Sequence, residues 1–341
     1  MRVTRLIASG LTTGAAITAL LIPSLARPAD ARPPTARPLP ASSAPAAVTR
    51  ISTTVDIRCA AIVLHQSADW HFPAGTPKGL VWLQHGFSRA NEHVRDLAGK
   101  YAEAGYLVFA PTLPSANIFG CTLQNLGDNT GFLDNVADLF GKAGGTGDRL
   151  GSSFADARNR AGRPGLALPQ NKVFVGHSAG GEAALYVAQR VRSAYPAAWA
   201  GTRGLVLLDP VRSFIGTNTT SSLNHLDNTS LPIHTISSPG YLCNNGGSGT
   251  QAVQAQLHRP FVGVRLTSGA HTDAEGASTD RTGTLACGTP QAKNVAALQT
   301  LAVGWARDAF TGGTTPDLYP GGAYYQGLLS SGTAQTLTGA Q

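Results

Sequence analysis

Gly176-His177-Ser178-Ala179-Gly180 is the stretch of this chain whose residue types and spacing best fit covalent chemistry. A serine with glycine two residues away on either side can occupy a turn too tight for larger neighbours. Before it, Val173-Phe174-Val175 reads as a buried strand; after it, Ala183, Ala184, Tyr186, Val187 and Ala188 give a helix its apolar surface. A strand-to-helix turn of this kind lifts the Ser178 hydroxyl above a sheet and aims the amide of Ala179 at the same point. The chain holds 40 glycines, so the short pattern alone is weak evidence. The strand before it and the helix after it give the pattern its weight.

A serine hydroxyl is a poor nucleophile at neutral pH and needs a histidine base, itself oriented by a carboxylate. After a turn like this, both partners are expected later in the chain, acid before histidine, at the C-terminal ends of strands. Four histidines follow Ser178. His225 falls in a Ser/Asn-rich stretch read as a loop, and His258 stands beside Arg259-Pro260; both read as surface. His234 lies within a strand and reads as a core histidine. His271 alone lies just past an apolar strand, among small residues, and is the expected base. Asp209, at the end of Gly204–Leu208, is the expected acid, with Asp227 as the alternative. The commoner place for the acid is one strand later, but Ser237-Ser238-Pro239-Gly240-Tyr241 has no carboxylate. Asp273 and Glu275 are too near His271 in sequence to orient its ring from behind.

A tetrahedral intermediate also needs two donors aimed at its oxygen. Ala179 supplies one backbone N–H. The other is expected from Phe87, in His85-Gly86-Phe87-Ser88 after the strand Leu80–Gln84, with the Phe87 ring walling the acyl pocket. His85 reads as a support for that loop.

The elements that position these residues alternate. Residues 51–72 are rich in β-branched residues and supply the first strands. Leu80–Gln84 is a strand, Asn91–Ala104 a helix ending at Gly105, and Tyr106–Ala110 a strand broken by Pro111. Short helices are expected over 131–140 and 152–161, within a loosely patterned segment, 113–170, that is long enough to cover a site. Strands come next at 204–208, 232–236 and 261–266, the last of them expected to be the final strand, and a closing helix at 291–310. Strand, helix, strand at this rhythm predicts an α/β domain with a mostly parallel sheet flanked by helices. Trp70 and Trp82 read as core. Residues 313–341 form a Gly/Thr/Ser-rich tail, packed on the domain or partly flexible, with Tyr319, Tyr324 and Tyr325 as docking aromatics.

Residues 1–31 read as a signal peptide: Arg2 and Arg5, an apolar run from Leu6 to Leu25, and the cleavage pattern Ala29-Asp30-Ala31. Residues 32–48 are a Pro/Ala-rich linker. Of the formal charge of +7, the first 45 residues carry +4 through five arginines against Asp30, which leaves +3 for the rest. That is too little and too scattered for a nucleic-acid partner. The chain beyond the linker, roughly 290 residues, is long enough for one domain, placed at 49–312. Cys59, Cys121, Cys243 and Cys287 all lie beyond the leader, so two disulfides in an exported protein are expected, with three pairings open. Their spacing matches no zinc pattern. Asp273, Glu275 and Asp280 read as a solvated acidic loop.

Together, His85-Gly86-Phe87-Ser88, the nucleophile segment through Gly181, Asp209-Pro210-Val211 and His271-Thr272-Asp273 resemble the α/β-hydrolase superfamily over about residues 51–310. Within it the likeness is to chlorophyllase-like and bacterial polyester-hydrolase (cutinase-like) serine esterases. The Asp-Pro-Val of chlorophyllases favours Asp209 as the acid. Chlorophyllases carry Arg after the serine where this chain has Ala179, so chlorophyll does not carry over as substrate. The polyester hydrolases imply a Cys243–Cys287 disulfide, leaving Cys59–Cys121. The resemblance implies an α/β-hydrolase fold and a secreted, cofactor-free monomer cleaving small-molecule or polymeric carboxylic esters, with no stable membrane insertion. The same residues would also serve an acyltransferase or a thioesterase, and a non-catalytic binding protein on this scaffold is the reading from another class.

Overall fold

The computed structural model of the chain describes residues 47–117 and 119–341. The expected signal peptide and all but the last two residues of the expected linker lie outside the described residues.

Nine strands form one sheet: β1 (Thr49–Cys59), β2 (Ile62–Phe72), β3 (Leu80–Gln84), β4 (Leu107–Pro111), β5 (Lys172–His177), β6 (Thr202–Leu208), β7 (Ile233–Ser237), β8 (Gly263–Leu266) and β9 (Ala334–Leu337). Their spatial order is β1-β2-β4-β3-β5-β6-β7-β8-β9. The run from β4 through β8 is parallel, and the β1–β2 hairpin and β9 close its two ends antiparallel.

The helices are α1 (Arg95–Glu103), α2 (Thr130–Gly141), α3 (Arg149–Arg160), α4 (Ala179–Ala194), α5 (Pro196–Trp199), α6 (Asn218–Asp227), α7 (Ser248–Gln256), α8 (Arg281–Cys287), α9 (Ala292–Thr311) and α10 (Ala323–Ser330). They cover both faces of the sheet, which is why the central strands are apolar without polar alternation. In β5, Phe174 packs with Trp82 and with Phe140 of α2. Val173 and Val175 face the opposite layer, with Leu97 of α1 and Leu301 and Trp305 of α9. This mostly parallel sheet, with helices on both faces and a strand-to-helix turn at its centre, is the α/β-hydrolase fold.

Several expectations are corrected. His225 lies on α6, not in a loop; its Thr/Ser/Asn-rich sequence forms a helix because Leu223 and Leu226 are buried. Residues 248–256, for which no helix was expected, form α7, with Ala252 and Val253 buried. The strand at Gly263–Leu266 is not the last one. β9 pairs with it from Gly263↔Leu337 to Leu266↔Ala334, burying Ala334 and Leu337. The tail thus adds an edge strand, and Tyr325 of α10 is buried beneath it. In the segment 113–170, α2 and α3 pack against the core, where Ser153 bonds Thr53 and Trp70 at 3.0 Å each. No helix among the described residues is long and apolar enough to cross a membrane.

Candidate active site

Ser178 stands between β5 and α4 with φ 57° and ψ −125°, a backbone region that costs a non-glycine residue of order 1–3 kcal/mol. The surrounding structure enforces it. A Cβ on Gly176 would lie 2.1 Å from the Gly180 carbonyl oxygen, and one on Gly180 would lie 2.5 Å from the carbonyl oxygens of Gln84 and His85. Only glycine fits at either position, which is the physical content of the G-x-S-x-G spacing. The Ser178 amide is tied to Leu208 O at 3.0 Å, and its carbonyl accepts from Val211 at 3.1 Å. Ala179 opens α4, where first-turn amides have no carbonyl one turn back.

The loop after β3 crosses directly over the serine: a Cβ on Gly86 would lie 2.7 Å from Ser178 Cβ. Buried His85 holds that loop from below. Its Nε2 accepts the Leu113 amide at 2.9 Å, so Nδ1 carries the proton and donates it to Gly86 O at 2.7 Å. Burial pushes its pKa down to about 4, which keeps the ring neutral. Phe87 lines the cleft beside Ser178 and is 41% exposed.

Asp209 follows β6 at φ 41°, a conformation that Asp tolerates better than most residues. Its carboxylate is buried and accepts from His271 Nδ1 at 2.6 Å, Ser238 Oγ at 2.6 Å, Ser238 N at 3.0 Å and Asn244 Nδ2 at 3.2 Å. Burial alone would raise its pKa; the hydrogen bonds from His271 and Ser238 and the charge of His271 outweigh that and hold it below the usual carboxylate range. Because His271 Nδ1 donates to Asp209, Nε2 is left with the lone pair. The structure therefore brings together Ser178, Asp209 and His271, the last two in direct contact. The alternative acid, Asp227, bonds His258 at 2.8 Å instead.

The residues that the sequence reading missed surround Asp209 and His271. Ser238 occupies the position after β7 where a carboxylate is absent, and it donates to the carboxylate of Asp209 at the end of the neighbouring strand. Asn244 does the same from farther along the same connection between β7 and α7. The Tyr241 hydroxyl accepts the His271 amide and donates to Cys287 O at 2.7 Å. Burial pushes its pKa up to about 12, so it stays a neutral bridge. The run of small and polar residues after a strand end was the available signal for Ser238; nothing in the sequence singled out Asn244 or Tyr241.

Cys243 and Cys287 stand at disulfide distance, with Cα atoms 5.4 Å apart, and both line the cleft. Cys59 and Cys121 pair with Cα atoms 5.8 Å apart, joining the end of β1 to the loop after β4. The expected solvated acidic loop is corrected at two of its three residues, Asp280 being exposed as expected. Asp273 and Glu275 are buried: Asp273 accepts the amides of Ala270 and Gln291 at 2.8 Å each. Glu275 takes both arms of Arg89, at 2.8 and 2.6 Å, and Arg89 also reaches Asp280 at 3.0 Å. The side chains are drawn in because each carboxylate has a fixed donor to pair with. Among the described residues no group of three or more acidic, His or Cys side chains is arranged to hold a metal ion.

Ser178, His271 and Phe87 open on one cleft of about 300 Å³. Phe214, 80% exposed, and Leu242, 96% exposed, line it, and Leu285 stands 88% exposed on α8 next to Ala286, which lines it too. From the segment 113–170, Gln124 reaches the cleft.

Compared by sequence, the chain matches no protein-family model and no curated protein. Among solved structures it is similar to the esterase domain from a Rhodothermus marinus protein, at 15% identity and a TM-score of 0.44, over 76% of this chain and 98% of that one.

Proposed function

We propose that this protein is a secreted serine hydrolase that cleaves carboxylic esters through an acyl-enzyme. The observation that carries the reading is the strained Ser178 turn sharing one cleft with a His271–Asp209 pair whose free Nε2 can act as base. Ser178 Oγ attacks the ester carbonyl carbon while its proton passes to His271 Nε2. The negative charge that collects on the carbonyl oxygen is met by the amides of Ala179 and Phe87. Asp209 holds the ring in the Nδ1–H tautomer and stabilises the imidazolium. The imidazolium then protonates the leaving alcohol as the C–O bond breaks. Water attacks the acyl-enzyme with His271 again taking the proton, and the acid departs as Ser178 recovers its hydrogen. The residues required are all in the chain, so no cofactor enters the scheme. The exposed apolar residues at the cleft and the internal pairing of Arg89 with Glu275 favour uncharged esters. The leader pattern of residues 1–31 and the two cysteine pairs favour export.

The test is hydrolysis of p-nitrophenyl esters from acetate to palmitate by wild type and Ser178→Ala, with fluorophosphonate labelling followed by peptide mapping. Turnover in wild type, loss of at least about 10³-fold in Ser178→Ala and a label on Ser178 are expected. A folded wild type that hydrolyses no ester and takes no label would overturn the proposal.

A further inference from the structure

One buried histidine at the cleft has no part in the scheme above. His177 precedes Ser178, ends β5 and is 1% exposed. Its Nε2 lies 2.9 Å from the backbone carbonyl oxygen of His271. A carbonyl oxygen only accepts, so Nε2 carries the proton and Nδ1 the lone pair. That Nδ1 is buried with no hydrogen-bond partner. The ring also packs on the His271 ring, with centroids 4.5 Å apart and planes at 45°.

An orphaned buried acceptor costs about 1–3 kcal/mol, a penalty that an apolar ring at this position would not carry. What the imidazole adds is the Nε2–H. Resting on the ester-hydrolase reading, we infer that His177 is a positioning residue: its Nε2–H, donated to the His271 carbonyl, fixes the base at a set distance from the nucleophile that comes next in the chain. The mechanical argument is direct. Ser178 is held by the β5–α4 turn, whereas His271 belongs to a loop beyond β8, and their relative placement has to be set by contacts between the two. The His177 bond is such a contact and reaches the backbone of the base itself. A displacement of about 1 Å between reacting groups can cost on the order of 10²-fold in rate. Burial, with the neighbouring His271 adding to it, holds the His177 pKa well below its ordinary value. The ring therefore stays neutral and does not oppose charge on His271 during turnover.

Two variants separate this role from simple packing. His177→Phe keeps a ring against His271 and removes the donor; His177→Gln loses the ring but carries an amide N–H able to reach the same carbonyl. The expected result on a soluble p-nitrophenyl ester is a fall in kcat of about 10- to 100-fold for His177→Phe with KM within about threefold, because positioning acts on the transition state. Fluorophosphonate labelling of Ser178 should slow in parallel. His177→Gln should recover to within about fivefold of wild type in kcat. Equal kcat values for the two folded variants, whether both high or both low, overturn the inference. Nitrogen-15 NMR of the wild type gives a readout independent of whether either variant folds: a protonated, slowly exchanging Nε2 and a bare Nδ1 on His177 are required, and the opposite tautomer overturns the inference. Wild-type turnover that is lost in Ser178→Ala, combined with equal Phe and Gln variants, would remove the role of His177 and leave the esterase reading standing. A wild type that neither hydrolyses esters nor labels would remove that reading itself.

Discussion

The two halves of the cleft are built on different principles. On the Ser178 side, position is enforced by backbone: a residue at positive φ, glycines with no room for a Cβ, and a loop after β3 laid directly over Ser178. On the Asp209–His271 side, position is enforced by side chains of the one connection between β7 and α7, with Ser238, Asn244 and Tyr241 holding Asp209 and His271, and the Cys243–Cys287 pair closing the arrangement. Backbone constraint is all-or-none, because an atom either fits or does not. A hydrogen-bond network is divisible, because each donor can be removed while the others remain. The two sides should therefore fail differently.

The largest effect is expected from Gly176→Ala. Its methyl carbon would need to occupy space 2.1 Å from the Gly180 carbonyl oxygen and 2.4 Å from its carbon, and both belong to backbone at the start of α4. Relief requires moving α4 away from β5, the centre of both cores. A loss of about 3 kcal/mol or more in denaturant melts is expected, with activity lost along with the fold. A variant that melts within about 1 kcal/mol of wild type would show that the turn is more compliant than its geometry implies.

Low pH should act on the Ser178 side of the cleft before it acts on the Asp209 side. His85 and His177 are buried neutral around Ser178, and His71 and His234 are held neutral elsewhere in the sheet. Burial is the first cause in each case; the pKa values fall from 6.5 to about 4 for His71, His85 and His234, and well below 6.5 for His177. Above pH 6.5 these rings are neutral in both the folded and the unfolded chain and add no slope. As pH falls from 6.5 toward 4, the unfolded chain takes up protons that the folded chain refuses, so stability declines. Each ring contributes up to about 1.4 kcal/mol per pH unit in that window. Asp209, held below the usual carboxylate range, keeps its charge over most of the same window. Thermal melts at about pH 7, 6, 5 and 4 should show Tm dropping steeply below about 6.5, and an unchanged Tm from about pH 7 to 5 would contradict the assignment of these rings as buried and neutral.

Legibility in the sequence divides along the same line. The tight turn at Ser178 is legible because its requirements are contiguous: two glycines, a strand before and a helix after. The pairing of His271 with Asp209 is legible because each lies just past a strand end, a place that can be found without knowing what faces it. The Cys243–Cys287 and Cys59–Cys121 pairs came from resemblance, since spacing left three pairings open. The partners of Ser238, and Asn244, Tyr241 and the Arg89–Glu275 pair altogether, are not legible, because a polar side chain in a loop reveals its partner only after the chain has folded. Two elements were misread for a related reason. α6 lies in a stretch whose Thr, Ser and Asn residues favour loops locally, and Leu223 and Leu226 override that by burying against the core. β9 is four residues long in a Gly-rich tail and exists because β8 offers an unpaired edge.

The divisible side is best probed at Asn244, which touches Asp209 at 3.2 and 3.3 Å, accepts the amides of Tyr241 at 2.9 Å and Gly247 at 2.8 Å, and lies next to Cys243. Asn244→Ala removes one donor to the carboxylate and leaves the two from Ser238 and the one from His271. The remaining bonds are shorter, so Asp209 should stay charged and in contact with His271. The loss falls on the restraint of the Pro239–Gly247 loop, which also carries Tyr241 and thus one of the holds on the His271 backbone. A fall in kcat of about tenfold, with KM little changed and the cooperative melt retained, is the expected outcome. Replacing Ser238 by Ala in the same protein should then cost more than the sum of the two single changes, since each donor limits what the loss of the other can do. Strict additivity of the two in a double-mutant cycle would mean that the acid is not held by a shared network, and the contrast between the two halves of the cleft would reduce to a difference in burial.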